Sequence, residues 1–126
     1  MDFQAISQAF VQHYFRTFDN ADARSNLASL YRPESMLVWE GNQQQGAQNI
    51  MSALTKPELK AVKTMVSSTD ATPATSGGVL VVVTGSLAID NEFDKPLSFS
   101  ATFLLQPIPG QPGGFFIYSQ IFRLVL

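Results

Sequence analysis

The sequence predicts an α+β domain in which helices pack on one face of a curved antiparallel sheet. Apolar residues recur at helical spacing in the first half of the chain, and alternate with the two-residue period of strands in the second half. Helices first and strands afterwards are typical of α+β folds. The chain has 126 residues with no internal repeat or linker, so we expect one domain spanning 1–126.

Three helical segments are predicted in the first half. Residues 3–18 carry apolar side chains at helical spacing, among them Phe3, Ile6, Phe10 and Tyr14. The pair Asp19–Asn20 is expected to end this helix. A shorter helical pattern covers 21–31 and stops at Pro33, because a proline ring disfavours helical geometry in the preceding residue. A further short helix is predicted at Ala47–Leu54.

Strands are predicted around and after these helices. Met36–Trp39 is a short apolar strand, and the polar residues 41–46 are expected to form a turn. The run Val79–Val83 is apolar throughout and rich in β-branched residues, which is typical of a strand covered on both faces. A second copy of the same sheet is the simplest cover for the face without helices. Further strands are predicted at 62–68, 97–105 and 115–126.

Alternation assigns faces to the last two strands. In the first of them, one face is expected to carry Phe99, Ala101, Phe103 and Leu105. In the second, one face is expected to carry Phe116, Tyr118, Phe122 and Leu124. Pro107–Gly114, rich in proline and glycine, is predicted to be the loop between them, and Ser76–Gly78 a turn.

Composition limits the partners. The net charge is −2, so no basic surface for nucleic acid or an anionic membrane is expected. Charged residues are 14%, against about 25% in an average soluble domain, which indicates apolar surface hidden against another chain. The absence of cysteine excludes disulfides and thiolate metal sites. Without a membrane-length apolar run or a signal-peptide pattern, a soluble intracellular protein is expected.

Several motifs, in order and at similar spacing, carry a resemblance that spans nearly the whole chain. The central one runs from Tyr31 to Gly41 as YRPESMLVWEG, followed by Gln45–Gly46. Near the ends stand FVQHY at 10–14, FDN at 18–20 and IFRL at 121–124. Together these segments resemble the nuclear transport factor 2 family, which carries the GTPase Ran back to the nucleus.

The resemblance implies a cone-like fold, homodimers that pair through their sheets, and a carrier without cofactor or catalysis. It also implies binding to GDP-bound Ran and to phenylalanine-glycine nucleoporins. Such a protein is expected in cytoplasm and nucleus, enriched at the nuclear pore.

The resemblance also implies the binding residues. Trp39 and Phe122 match aromatics that line a cavity entered by an aromatic side chain of Ran. Glu40, Asp90 and Glu92 match acidic positions that meet basic residues of Ran beside that cavity, although the family residue at Glu92 is usually aspartate. From the residues alone, core packing is the favoured interpretation of the aromatics, and a solvated turn is a common one for the acids.

Three further positions are singled out. Phe3 matches a nucleoporin-binding aromatic, often tryptophan in the family, and is equally consistent with a residue packing at the helix start. Thr64 stands where the family has a histidine partner for Glu40, so Glu40 needs another hydrogen-bond donor or lies closer to water. His13, the only histidine, has no ligand-spaced partner and is expected to be structural rather than catalytic.

Two alternatives remain open from the sequence. One is a cavity enzyme of the isomerase or dehydratase type, in which Glu40 with Tyr31 or Tyr118 forms an acid–base set. Against it, no histidine–carboxylate pair is evident, and a fold does not imply a function. The other alternative is a small subunit that heterodimerises with an mRNA-export receptor.

Overall fold

The structure, a computed structural model, describes residues 2–89 and 94–126. These residues form helices and one six-stranded sheet. The helices are α1 (Phe3–Asp19) and α2 (Ala47–Leu54), with short 3₁₀ segments at Arg24–Leu30, Pro57–Leu59 and Thr75–Gly77. The strands are β1 (Tyr31–Trp39), β2 (Asn42–Gln45), β3 (Val62–Pro73), β4 (Val79–Ile89), β5 (Leu97–Pro107) and β6 (Phe115–Leu124).

Helix α1 forms where the sequence predicts it, and its ends are capped. The Asp2 carboxylate accepts a hydrogen bond from the Ala5 backbone N–H at 3.1 Å, which satisfies one free donor of the first turn. At the other end, the Asn20 N–H donates to the Thr17 carbonyl. The buried apolar face of the helix consists of Val11, Tyr14, Phe15 and Phe18, which pack into the core.

The strands lie in the order β2-β1-β6-β5-β4-β3. Every neighbouring pair is antiparallel except β1 and β6, which run parallel. The predicted α+β class is confirmed: the sheet is curved, and α1 packs against it over β3 and β4. None of the described helices has the length and apolar character that a membrane crossing requires.

The polar segment 41–46 was predicted to be a turn, and this prediction is wrong. Residues Asn42–Gln45 form β2, which pairs antiparallel with β1 from Met36 opposite Gln45 to Trp39 opposite Asn42. The chain reverses in only two residues, Glu40 and Gly41, so the polar residues that follow can pair with β1. Its polarity reflects an exposed edge of the sheet, where side chains meet water on most sides.

The predicted face of the last strand is correct near its end and wrong near its start. Phe122 is buried as expected, but Tyr118 is 41% exposed while Ile117 is fully buried. A bulge explains the difference: Leu104 pairs with Ser119 and Leu105 with Ile117, which leaves Tyr118 without a partner. The extra residue reverses which side chains face the core.

The inner faces of β4 and β5 form the centre of the core. The predicted row on β5 is confirmed, since its members Phe99, Ala101, Phe103 and Leu105 are all buried. On β4 the burial alternates: Val79, Val81 and Val83 are buried, whereas Val82 is 36% exposed. Within a single chain, therefore, only one face of β4 is covered.

Candidate partner-binding site

Trp39 and Phe122 stack ring on ring at the ends of β1 and β6. Their ring centroids are 4.0 Å apart and their planes differ by 7°. The parallel register explains the contact, because it places these two residues side by side on neighbouring strands. Phe122 is buried, while Trp39 is only partly covered. Trp39 is thus the solvent-facing member of an aromatic pair.

The pair is the outer end of a larger aromatic cluster. Phe122 stacks in turn on Phe99, with centroids 5.4 Å apart and planes 19° apart. Phe18, from the last turn of α1, packs against Trp39 at 6.0 Å with planes at 68°. The cluster thus joins the end of the helix to three strands, and Trp39 rests on rings from two sides.

The sequence led us to expect that these aromatics line a cavity. At 4.0 Å the two rings are in contact, so no third ring fits between them. The aromatic surface left open here is the uncovered part of Trp39.

Glu40 lies next to this pair in the two-residue turn between β1 and β2. Both turn residues have positive φ, 51° for Glu40 and 84° for Gly41, as a type I′ turn requires. Glycine adopts this conformation freely, whereas a residue such as glutamate is strained by about 1–3 kcal/mol. Strained backbone positions of this kind cluster at functional sites.

The Glu40 carboxylate has a donor within the chain. Its Oε1 accepts a hydrogen bond from the Leu124 backbone N–H, and the Glu40 N–H donates to the Phe122 carbonyl at 3.0 Å. The side chain is thereby held beside Trp39 at the edge of the sheet. The Arg123 guanidinium lies against the same turn, near the α-carbon of Gly41. A positive and a negative side chain therefore lie at this end of β1 and β6.

Thr64, which stands where the family has histidine, bonds to a different acid. Its backbone N–H donates to Asp19 Oδ2 and its hydroxyl to Asp19 Oδ1, both at 2.7 Å. Burial raises the pKa of Asp19, and the two hydrogen bonds from Thr64 and the charge of Arg24 offset only part of that effect. Thr64 therefore links the end of α1 to β3 through its hydrogen bonds to Asp19. The donor for Glu40 is the Leu124 backbone N–H instead.

Arg24 is a buried cation close to the aromatic cluster. Its side chain is 3% exposed, and its guanidinium lies over the Phe18 ring, 4.4 Å from the centroid. The nitrogens donate to four backbone carbonyls, those of Phe18, Leu54, Leu59 and Lys60. Burial lowers the pKa of Arg24, partly offset by the charge of Asp19.

The structure does not bring together the acid–base set of the enzyme alternative. The Tyr31 hydroxyl is buried, where it donates to Gln120 Oε1 at 2.5 Å and lies 3.1 Å from the Tyr14 hydroxyl. The Gln120 amide donates back to Tyr14 at 2.9 Å, which closes the triangle. Burial raises the pKa of Tyr31 well above its ordinary value, and Tyr118 points away from the core.

Four further residues were singled out from the sequence. Asp90 and Glu92 lie outside the described residues. Phe3 is the half-buried first residue of α1 and packs against the core. His13 is exposed on the same helix, and no metal-binding group of side chains occurs within 2–89 and 94–126.

Sequence reasoning missed three residues that shape the site: Phe18, Arg24 and Phe99. The two phenylalanines were visible as apolar positions, but their contact with Trp39 and Phe122 depends on strand register and helix placement. No signal in the sequence marks Arg24 as buried, because an isolated arginine in a polar segment is usually solvated.

Comparison with protein families gives a match over nearly the whole chain. Residues 6–124 match the model of the nuclear transport factor 2 domain. The nuclear transport factor 2 of Neurospora crassa is 45% identical, covering 100% of this chain and 98% of the relative. The nuclear transport factor 2B of Arabidopsis thaliana is 42% identical over 98% of this chain and 95% of its own length.

A solved structure agrees with these sequence relatives. The nuclear transport factor 2 of Cryptosporidium parvum superposes with a TM-score of 0.87 at 39% identity, covering 98% of this chain and 94% of that one. Identity of this size over the full length extends the likeness from the fold to the family.

Proposed function

Because this chain belongs to the nuclear transport factor 2 family, we propose that it is a nuclear import carrier that binds the GTPase Ran in its GDP form. Full-length relatives named nuclear transport factor 2 support the coarser role in nuclear transport, at a nucleocytoplasmic location and without enzymatic turnover. The proposal rests above all on one observation: the partly exposed Trp39 stacked on Phe122 beside the anchored Glu40.

Trp39 is the proposed hydrophobic anchor for an aromatic side chain of Ran. Its uncovered surface offers a flat apolar contact, and Phe122, Phe99 and Phe18 support it from behind. An aromatic anchor in such a setting is typically worth about 2–4 kcal/mol when truncated. The energy of the contact depends on the indole being held in place, which the stack provides.

Acidic groups beside the anchor are proposed to meet basic residues of Ran. Glu40 is held next to Trp39 by the Leu124 N–H, and Asp90 and Glu92 are proposed for the same role from the resemblance. Charges at the rim of an interface mainly set orientation and association rate. Deleting a desolvated one costs more, because its partner then stays buried without a counter-charge.

The outer face of the sheet is proposed to pair two copies of the chain. Val82 and Ile121, which are 36% and 51% exposed, occupy one row across the sheet with Thr102 between them. The same row continues to Val38 on β1 and ends at the exposed Asp70 on β3. Exposed apolar side chains with polar residues around them are typical of an interface. A homodimer would bury this row, in agreement with the low share of charged residues in the chain, 14%.

Nucleoporin binding is proposed at Phe3. The ring is half-buried at the start of α1, so part of it is open to a phenylalanine-glycine repeat. Each contact would be weak, and many repeats acting together would support rapid passage through the pore, where we propose the protein is enriched. Release of Ran would follow nucleotide exchange, because the switch regions of a GTPase change order when GTP replaces GDP.

Calorimetric titration with Ran tests the proposal. The wild-type chain should bind GDP-loaded Ran and show no comparable affinity for GTP-loaded Ran. Trp39→Ala and Glu40→Lys should both weaken binding while the dimer stays intact. Glu34→Lys makes the same charge reversal at an exposed position away from the pair, and should bind normally. Unchanged affinity in both site variants would refute the assignment.

Mass measurement separates the carrier from the small-subunit alternative. A stable homodimer of the purified chain favours the carrier. A monomer that dimerises only after an mRNA-export receptor is added favours the subunit.

A further inference from the structure

Arg24 holds together three segments that end at the same place. Its Nε donates to the Phe18 carbonyl at 2.6 Å, in the last turn of α1. One terminal nitrogen donates to the carbonyl of Leu54, the last residue of α2, at 3.3 Å, and also to that of Leu59, while the other lies 3.5 Å from the Lys60 carbonyl. Carbonyls at helix ends lack partners within the helix and carry partial negative charge, so a cation there is stabilised.

The same guanidinium also fixes a side chain. It lies over the Phe18 ring, 4.4 Å from the centroid, while Nε donates to the carbonyl of the same residue. Phe18 is therefore held at both its backbone and its ring. The same ring packs against Trp39, with centroids 6.0 Å apart, and against Tyr14, with centroids 6.2 Å apart. A continuous chain of contacts thus runs from Arg24 through Phe18 to the indole.

We propose that Arg24 is a positioning residue for the partner-binding site, which sets the resting position of Trp39 by fixing Phe18 beneath it. This inference rests on the proposed role of Trp39. Lysine does not replace arginine here, because a single ammonium has neither the planar fork that reaches four carbonyls nor the flat face that covers a ring. The side chain contacts no partner itself, since it is buried.

Tryptophan fluorescence reports directly on this arrangement, because Trp39 is the only tryptophan in the chain. The variants are Arg24→Lys, Phe18→Leu and the double variant, with Arg16→Lys as a matched control on the exposed side of α1. In Arg24→Lys we expect a longer-wavelength Trp39 emission in the folded protein, and about ten-fold weaker binding to GDP-loaded Ran, since an anchor acts only when well packed. Phe18→Leu should give the same emission shift with Arg24 in place.

The double variant distinguishes positioning from general stabilisation. If Arg24 acts through Phe18, its substitution adds no further emission shift or loss of affinity once the Phe18 ring is gone. A residue that only stabilised the fold would lower the melting temperature while the folded protein kept native emission and affinity. That result, or additive effects in the double variant, would overturn the proposal. Native Trp39 emission in Phe18→Leu rejects the route through Phe18, whether or not Arg24→Lys folds.

The two proposals fail separately. If the wild-type chain does not bind Ran, the proposed function is wrong, but the emission of Trp39 still tests the positioning. If Ran binds and the emission of Arg24→Lys is native, the function stands and the positioning role is rejected.

Discussion

The carboxylate of Asp19 accepts two hydrogen bonds from Thr64, one from the backbone N–H and one from the hydroxyl, each 2.7 Å long. The pair joins the C-terminal residue of α1 to the beginning of β3. It satisfies a backbone N–H of β3, which is an edge strand of the sheet. It also keeps Asp19 partly buried near the Arg24 guanidinium.

This pair predicts a pH dependence of stability. Burial raises the pKa of Asp19 in the folded chain above its unfolded value of about 3.9, so the folded state holds the proton more tightly than the unfolded state. The contribution of Asp19 to stability is then greatest below pH ~4 and is lost as pH rises through the folded pKa. Urea denaturation of wild type and Asp19→Asn between pH ~4 and ~7 should show wild type losing stability relative to the variant. A relative gain would contradict the shift.

The turn at Glu40 predicts that binding and stability separate. Glu40→Asn relieves a left-handed glutamate, worth about 1 kcal/mol, and removes the bond to Leu124, worth about the same. We therefore expect a melting temperature close to that of wild type, and weaker binding to GDP-loaded Ran by calorimetry. Glu34→Asn, at an exposed position without positive φ, serves as the control and should alter neither property. A variant with intact affinity would show that Glu40 is only a turn residue.

The buried triangle of Tyr14, Tyr31 and Gln120 predicts a specific loss of stability. Tyr31→Phe removes the hydroxyl that donates to Gln120 Oε1 and leaves that buried oxygen without this donor. An unsatisfied buried polar group costs about 1–3 kcal/mol, which a urea midpoint measures well. The same change at the exposed Tyr118 should stay within about 0.5 kcal/mol. Equal effects at both positions would mean that the triangle contributes nothing of its own.

The outer face of the sheet predicts how to separate the proposed dimer. Ile121→Glu places a charge in the exposed row that contains Val82 and Thr102, where burial against a second copy would desolvate it. Sedimentation should then give a mass near 13.8 kDa instead of twice that value. Ala9→Glu adds the same charge on the exposed side of α1 and should leave the dimer intact. If the Ile121→Glu variant is still a dimer, the interface lies elsewhere on the molecule.

Local pattern was enough to predict the fold class and most elements. Periodicity located α1 and the core row of β5 correctly, because both depend on neighbours within one element. It failed at Tyr118, since a bulge is decided by the partner strand and leaves no mark in the alternation. It failed again at Asn42–Gln45, since an edge strand needs no apolar residues.

The candidate site was predicted only in part, because its contacts depend on strand register and on backbone groups. Trp39 and Phe122 lie near each other as expected, but their direct stacking follows from the parallel register of β1 and β6, which no short window contains. The donor to Glu40 is a backbone N–H of Leu124, and backbone groups carry no sequence signature. Asp90 and Glu92 stay predictions, as they lie outside the described residues.

The parallel pairing of β1 with β6 has a consequence for synthesis on the ribosome. Residues 31–39 emerge long before their neighbour in the sheet, 117–122, leaves the exit tunnel. Contacts this distant along a chain form late and slow the rate of folding. The first half of a nascent chain must therefore wait for β6, and apolar surface stays exposed until that strand is made.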